Sequence, residues 1–170
     1  QNGNKTFQDL DAISVSIGPG SYTGLRIGLA VAKGLCFGLK IPLITVETLD
    51  SLLALGRKVH PDQNLCAVLD ARRMEVYTKS INGSGETLRT LSSSVIDADK
   101  FVQDEPFIYF GDGAAKLKTI WGHRAAIFDS ELMLSAKGQV DIAYERYKNE
   151  DFDSLEKCKP LYLKQFGSNT

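Results

Sequence analysis

The segment Gly18-Pro19-Gly20-Ser21-Tyr22-Thr23-Gly24-Leu25-Arg26-Ile27-Gly28 constrains this chain more than any other. Just before it, Ile13, Val15 and Ile17 alternate with Ser14 and Ser16, the period-two pattern of a strand with one buried face. Gly18-Pro19-Gly20 ends that strand, since proline removes a ladder donor and glycine reaches backbone conformations other residues avoid. Ser21 and Thr23 carry hydroxyls able to accept the orphan N–H groups of a first helical turn, and an apolar helix is expected from Thr23 to Leu39. A strand over Ile41 to Val46, apolar through its centre, reads as a parallel strand covered on both faces. A short helix capped by Thr48, carrying Leu49, Leu52 and Leu53 and closed at Gly56, completes a βαβα unit.

A glycine-rich turn between strand and helix is the usual cradle for a phosphate. This one fits poorly. A Walker loop needs Gly-Lys-Ser/Thr at the helix start, where the chain has Gly24-Leu25-Arg26, and the third glycine of a dinucleotide fingerprint falls one residue late. Pro19 also removes one N–H donor. Glu47, after the next strand, could imitate a ribose-binding acid, which keeps a nucleotide-binding enzyme, either a small-molecule kinase or a dinucleotide enzyme, as the alternative reading. Packing accounts for the glycines better. Each glycine inside a helix costs roughly 1 kcal/mol relative to alanine, and this helix holds Gly24, Gly28, Gly34 and Gly38. Close approach of another backbone can offset that. Two stripes of small residues result, Gly24, Gly28 and Ala32 on one side and Ala30, Gly34 and Gly38 on another. One is expected against the chain's own sheet and the other open to a helix elsewhere, and Gly24, Gly28 and Ala32 are taken as the candidate partner-binding residues, with the second stripe also a candidate docking face. Overpacking is accordingly expected from a leucine at Gly28.

Gly56 to Asn64 is polar and turn-rich, and a lobe boundary is expected there, dividing residues 1–62 from 63–170. Beyond it, Leu65 to Leu69 and Glu75 to Ile81 read as strands joined by Asp70-Ala71-Arg72-Arg73-Met74. Asn82-Gly83-Ser84-Gly85 signals a hairpin into a third strand over Thr87 to Leu91. A short helix over Ile96 to Val102, a strand over Phe107 to Phe110, a helix opened by Gly111-Asp112-Gly113 and a weak strand over Ala126 to Phe128 follow. Val140, Ala143, Tyr144 and Tyr147 share one helix face, and Pro160 to Leu163 is extended.

Composition narrows the function classes. With 20 Lys+Arg against 21 Asp+Glu, the net charge of -1 lacks the basic excess of a protein that wraps nucleic acid unaided, so contact with nucleic acid is expected to be shared with a partner. Cys36, Cys66 and Cys158 are odd in number and form no CxxC pair, which suits free thiols in a reducing cytoplasm. No apolar run has membrane length. The start at Gln1-Asn2-Gly3-Asn4, with no Met, is what a fragment or processed chain would show.

Catalytic constellations are sparse. His60 and His123 lie far apart in sequence rather than one helical turn apart, so no metal-binding histidine pair is formed, and no carboxylate pair follows a strand in a recognisable site. No GxSxG elbow is present. Asp70, Arg72 and Arg73 form a turn that could contact a phosphate or an acidic partner surface, or simply carry a salt bridge to Glu75.

The stretch from Ile17 to Gly28 resembles the signature of the TsaB (YeaZ) family. Asp70-Ala71-Arg72-Arg73-Met74-Glu75-Val76-Tyr77 resembles its DAR-x-x-E-V-Y hairpin, and Gly111-Asp112-Gly113-Ala114 and Pro160-Leu161-Tyr162-Leu163-Lys164 resemble two later landmarks. The resemblance implies an actin/Hsp70/sugar-kinase-like, ribonuclease H-like α/β fold of two lobes, with the first lobe incomplete in this chain. Asp70 then falls where such folds place a second phosphate loop, although the loop lacks the glycines that would bring its N–H groups to phosphate. Gly111-Asp112-Gly113 becomes a weak adenosine-loop remnant. Gly18, Pro19, Gly20, Ser21 and Thr23 become a structural loop. The resemblance further implies a cytoplasmic, non-catalytic partner of the enzyme TsaD. With a TsaE-like ATPase, that pair forms N6-threonylcarbamoyladenosine at position 37 of tRNAs reading ANN codons. ATP is then used by the wider complex, no cofactor is expected on this chain alone, tRNA is met indirectly, and self-pairing in the partner's absence stays open. The family is also called glycoprotease-like or peptidase M22-like. Its TsaD pairing runs largely through first-lobe helices, one of which corresponds to Thr23–Leu39.

Overall fold

The computed structural model describes residues 5–97, 107–121 and 126–163. Its elements are β1 (Ile13–Gly18), α1 (Tyr22–Leu39), β2 (Leu43–Glu47), α2 (Thr48–Val59), β3 (Leu65–Asp70), β4 (Glu75–Ile81), β5 (Thr87–Val95), β6 (Ile108–Phe110), α3 (Ala114–Trp121), β7 (Ile127–Asp129) and α4 (Val140–Lys148), with a 3-10 turn over Ala136–Gln139 before α4. The expected helix over Ile96 to Val102 lies mostly outside the described residues, and Ile96 and Asp97 themselves are not helical. His123 also lies outside them.

Strands β1 and β2 form a parallel pair. The second sheet runs β5-β4-β3-β6-β7, antiparallel on the β5 and β4 side and parallel from β3 through β6 to β7. A three-stranded meander followed by two parallel strands on its far side is the ribonuclease H-like order. This is an actin/Hsp70/sugar-kinase-like α/β fold, as the sequence implied.

Three apolar clusters hold it together. Leu29, Ala32 and Cys36 of α1 pack with Leu43 of β2. Leu49, Leu52 and Leu53 of α2 pack with Leu65, Ala67 and Leu69 of β3 and Phe110 of β6. Leu117 and Trp121 of α3 cover the other face of β3 through Cys66 and Val68. Helix α2 lies on the five-stranded sheet, while the chain after α4 returns to the first pair, where Leu155 and Cys158 touch the α1 cluster and the Leu161 N–H donates to Ile17 O at 2.7 Å.

That return also closes the outer edge of β2. Asp153 bridges Leu43, its Oδ2 accepts the Thr45 N–H at 2.7 Å, and Arg146 Nη1 donates to Thr45 O at 2.6 Å while standing 3.2 Å from Asp153. Two side chains thus satisfy groups that another strand would pair, which shields the edge. Asp153→Ala is expected to lower unfolding free energy by about 1–2 kcal/mol, because it strands the Thr45 N–H and removes one of the two carboxylates beside Arg146, which keeps Asp151 at 2.6 Å. Urea denaturation checks this, and a loss too small to resolve would show the edge to be held by packing alone.

Candidate functional site

The glycine loop is occupied by the chain itself. Gly18 has φ +122°, and a Cβ there would stand 2.6 Å from Leu161 O, so both conformation and the returning C-terminal segment require glycine. Pro19 is fully buried and follows a cis bond. Ser21 is the helix cap, its Oγ accepting the Gly24 N–H at 3.2 Å, whereas Thr23 lies inside the first turn. Tyr162 stacks on Tyr22 at 4.9 Å, and Arg26 lies over the Tyr22 ring and donates from Nε to the Tyr162 hydroxyl at 3.0 Å. Leu161 thereby closes the Gly18 end of the loop and Tyr162 flanks its helix, while Gly20 and Ser21 stay exposed.

Other residues of the nucleotide reading are likewise engaged. Glu47 and Asp50 both pair with Lys79 of β4, at 3.2 and 2.6 Å. Burial works against the Lys79 charge, but Asp50 and then Glu47 outweigh it and raise its pKa. In the Gly111-Asp112-Gly113 turn, the Gly111 N–H donates to Leu132 O and the Gly113 N–H to Val68 O, so neither is turned to a ligand.

The Asp70 turn is built as a closed unit. Arg72 and Arg73 hold φ of 67° and 50°, left-handed conformations that cost non-glycine residues on the order of 1–2 kcal/mol each. Asp70 Oδ1 accepts the Arg72 N–H at 2.5 Å, Asp112 Oδ1 accepts the Asp70 N–H at 2.9 Å, and Lys116 Nζ donates to Asp70 Oδ1 and to Arg73 O. Burial raises the Asp70 carboxyl, yet hydrogen bonds from Lys116 and the Arg72 amide prevail and hold it below the ordinary carboxylate value. The Arg72 and Arg73 side chains are exposed beside this unit, and the Glu75 carboxylate accepts from Ser93 Oγ.

His60 and Asp129, expected apart from any site, meet at 2.8 Å and tie the end of α2 to the end of β7. The Asp129 carboxyl is lowered by the His60 contact first, against burial, and further by the Glu131 and Leu132 amides. A carboxyl depressed by folding contributes stability above its unfolded pKa of about 4 and loses it as pH falls through the folded value. The stability gap between wild type and Asp129→Asn is therefore expected to be full at neutral pH and to close below about pH 4. Urea midpoints across pH measure it, and a gap independent of pH contradicts it. Among the described residues, no group of three His, Cys, Asp or Glu is placed to hold a metal ion. None of their helices is long and apolar enough to cross a membrane.

Helix α1 shows two contrasting faces. Leu25, Leu29, Ala32 and Cys36 are buried inward. A Cβ added at Gly28 would stand 3.9 Å from Val15 Cγ2, in ordinary contact, and Gly24 is exposed beside its own cap. Ala32 is thus core, and the Gly24, Gly28 and Ala32 stripe is turned partly to the chain's own sheet. Of those three positions Ala32 packs on Leu29, Cys36 and Leu43, Gly28 is half-buried and Gly24 is exposed. The opposite face carries Ile27, Ala30, Val31, Gly34, Phe37 and Gly38, all exposed, with Phe37 at 81%. A Cβ added at Gly34 or Gly38 meets nothing.

An α/β chain of the actin-like class, with one apolar helix face open among the described residues, is the class these features define. The chain matches the family model TsaD, tRNA N6-adenosine threonylcarbamoyltransferase, over residues 1–168, and it belongs to that family on its TsaB (YeaZ) branch. It is 25% identical to the tRNA threonylcarbamoyladenosine biosynthesis protein TsaB of Haemophilus influenzae over 96% of this chain and 74% of that protein. The TsaB of Bacillus subtilis is 51% identical over 42% of this chain and 30% of its own length. The solved YeaZ structure from Pseudomonas aeruginosa superposes with a TM-score of 0.75 at 26% identity, covering 93% of this chain and 76% of that one. A further Pseudomonas aeruginosa structure, described as similar to peptidase YEAZ, has the same TM-score at 24% identity and shows the fold alone.

Proposed function

We propose that this chain is a non-catalytic partner of a TsaD-like enzyme in forming N6-threonylcarbamoyladenosine at position 37 of tRNAs that read ANN codons. The relatives named TsaB support the pathway. The observation that carries the partner role is the outer face of α1. Ile27 at 59%, Val31 at 56% and Phe37 at 81% exposure flank Ala30, Gly34 and Gly38, so large apolar side chains border a shallow track where a second helix can approach closely. Among the described residues nothing recovers the roughly 1 kcal/mol that each of Gly34 and Gly38 costs the helix, since a Cβ added at either would have no neighbouring atom within 4 Å. A TsaD-like partner laid on this face would recover it. In this reading the partner supplies the reaction centre, a TsaE-like ATPase completes the assembly, ATP is used there, and tRNA is met through the complex. The chain acts in the cytoplasm. Co-expression with a TsaD-type protein tests the reading. A stable complex on gel filtration supports it, and separate elution under conditions that keep both folded overturns it.

A further inference from the structure

The segment from Leu155 to Tyr162 runs back along α1, antiparallel to it. Leu155 and Cys158 pack on the cluster of Leu29, Ala32 and Cys36. Lys33 Nζ donates to Cys158 O at 2.7 Å, and Tyr162 stacks on Tyr22 at the helix start. At the other end of the helix lies a cavity of about 580 Å³, walled by Cys36, Phe37, Gly38, Lys40 and Ile41 and, from the returning segment, by Leu155. Cys36 is buried and Ile41 and Leu155 are half-buried, whereas Phe37, Gly38 and Lys40 are exposed, so the floor is closed and the mouth faces solvent. Phe37 and Gly38 also belong to the outer face of α1, which makes the cavity continuous with the track of Ala30, Gly34 and Gly38. Lys40 follows the helix at φ 56°, and among the described residues no carboxylate pairs with its ammonium.

We propose that the partner anchors itself by one bulky apolar side chain that enters the cavity between the end of α1 and Leu155, with a carboxylate beside it on the partner that reaches Lys40. This anchor deepens the partner reading and rests on it. A track of small residues lets two helices come near but offers little apolar area of its own. A walled cavity supplies that area, because a large side chain seated in it leaves water on every side except the mouth. Interfaces concentrate their energy in such seated side chains rather than spreading it over the whole contact. A helix laid along Ala30, Gly34 and Gly38 passes the mouth, since Gly38 ends the track and also lines the cavity. Lys40 at the rim selects a partner with an acidic residue next to the anchor, which fixes register more than it adds affinity.

Titration calorimetry against a TsaD-type protein tests it, with the cavity filled from the side that is not α1. Leu155→Trp is expected to weaken binding about 30-fold while urea denaturation shows the chain still folded. Lys40→Glu is expected to weaken it about 5-fold, by an amount that shrinks at high salt. Normal binding by either variant, beside weakened binding by Gly34→Leu, overturns the anchor and leaves the partner reading standing. If wild type itself does not bind, both fall. Self-association of the isolated chain that Leu155→Trp abolishes, with partner binding intact, gives the cavity to a second copy and also overturns the anchor. Should Leu155→Trp fail to fold, a benzophenone side chain placed at exposed Lys40 decides. Photo-crosslinking to a partner segment that holds a large apolar residue next to Asp or Glu supports the anchor, and crosslinks elsewhere, or none, overturn it.

Discussion

A chain carrying Gly111→Ala is expected to lose about 3 kcal/mol or more of unfolding free energy, read as a lower urea midpoint with an unchanged slope. Gly111 has φ +97°, a conformation that alanine adopts only under strain. A Cβ there would also run into Val68 O and stand 2.7 Å from Leu52 Cδ2. Neither neighbour can yield cheaply. Val68 is fully buried in the central strand β3, and Leu52 is fully buried in α2. The glycine cannot rotate away, because its N–H donates to Leu132 O at 3.1 Å and its carbonyl accepts from Ala114 at 3.0 Å, which starts α3. Strain and overpacking, each worth about 1–3 kcal/mol, therefore add. Gly28→Ala is the internal control. Its Cβ would make ordinary contact with Val15, so the same change in mid-helix should be neutral or stabilise by up to about 1 kcal/mol. Equal losses at the two positions would sink the argument.

That contrast shows where the sequence was legible. Strand β1, the cap at Ser21 and helix α1 could be read because alternation, a Gly-Pro break and a hydroxyl cap agree over adjacent residues. Glycine as a marker was misread in both directions. Gly56 looked like a helix end, yet α2 runs through it to Val59, because Gly56 is buried beneath the Phe110 ring, where a Cβ would collide. Helix α1 ends instead on Lys40, a non-glycine residue at φ 56°. The stripe on α1 suggested close backbone approach at Gly28, but within the chain that approach occurs at Gly111, at Gly113 against the β3 backbone and at Gly138 against Ser51 O. Strand β5 continues to Val95 because Ser92, Ser93 and Ser94, which resemble a loop in isolation, pair with Thr78, Tyr77 and Val76 of β4.

Contacts distant in sequence left no local signal. Lys116 meets Asp70 across 46 residues and His60 meets Asp129 across 69, so neither pair could be joined by spacing or periodicity. The only trace of the first is Asp112 four residues before Lys116, a spacing that on any helix reads as a surface pair. The return of Asp153 and Leu161 to the first strand pair is hidden for the same reason, since an edge closed by side chains has no strand pattern.

The outer face of α1 yields the second large effect, and it separates folding from association. Gly34→Leu is expected to leave the isolated chain as stable as wild type, or more stable by up to about 1 kcal/mol, because leucine is a far better helix former and its Cβ meets no atom. The same substitution should weaken binding to a TsaD-like partner by about 100-fold, roughly 2.7 kcal/mol, since the branched side chain would stand where the partner's backbone approaches. Gly34→Ala should fall between, and Ala30→Leu, one turn earlier on the same exposed face, should match the leucine effect. Titration calorimetry against the partner, paired with urea denaturation of each variant alone, reads the two quantities independently. A variant that binds normally removes this face from the interface. A variant that fails in both assays would mean that the glycine serves the chain's own packing, contrary to the open space beside it. Only stability kept with affinity lost matches a helix whose small residues are shaped for another molecule.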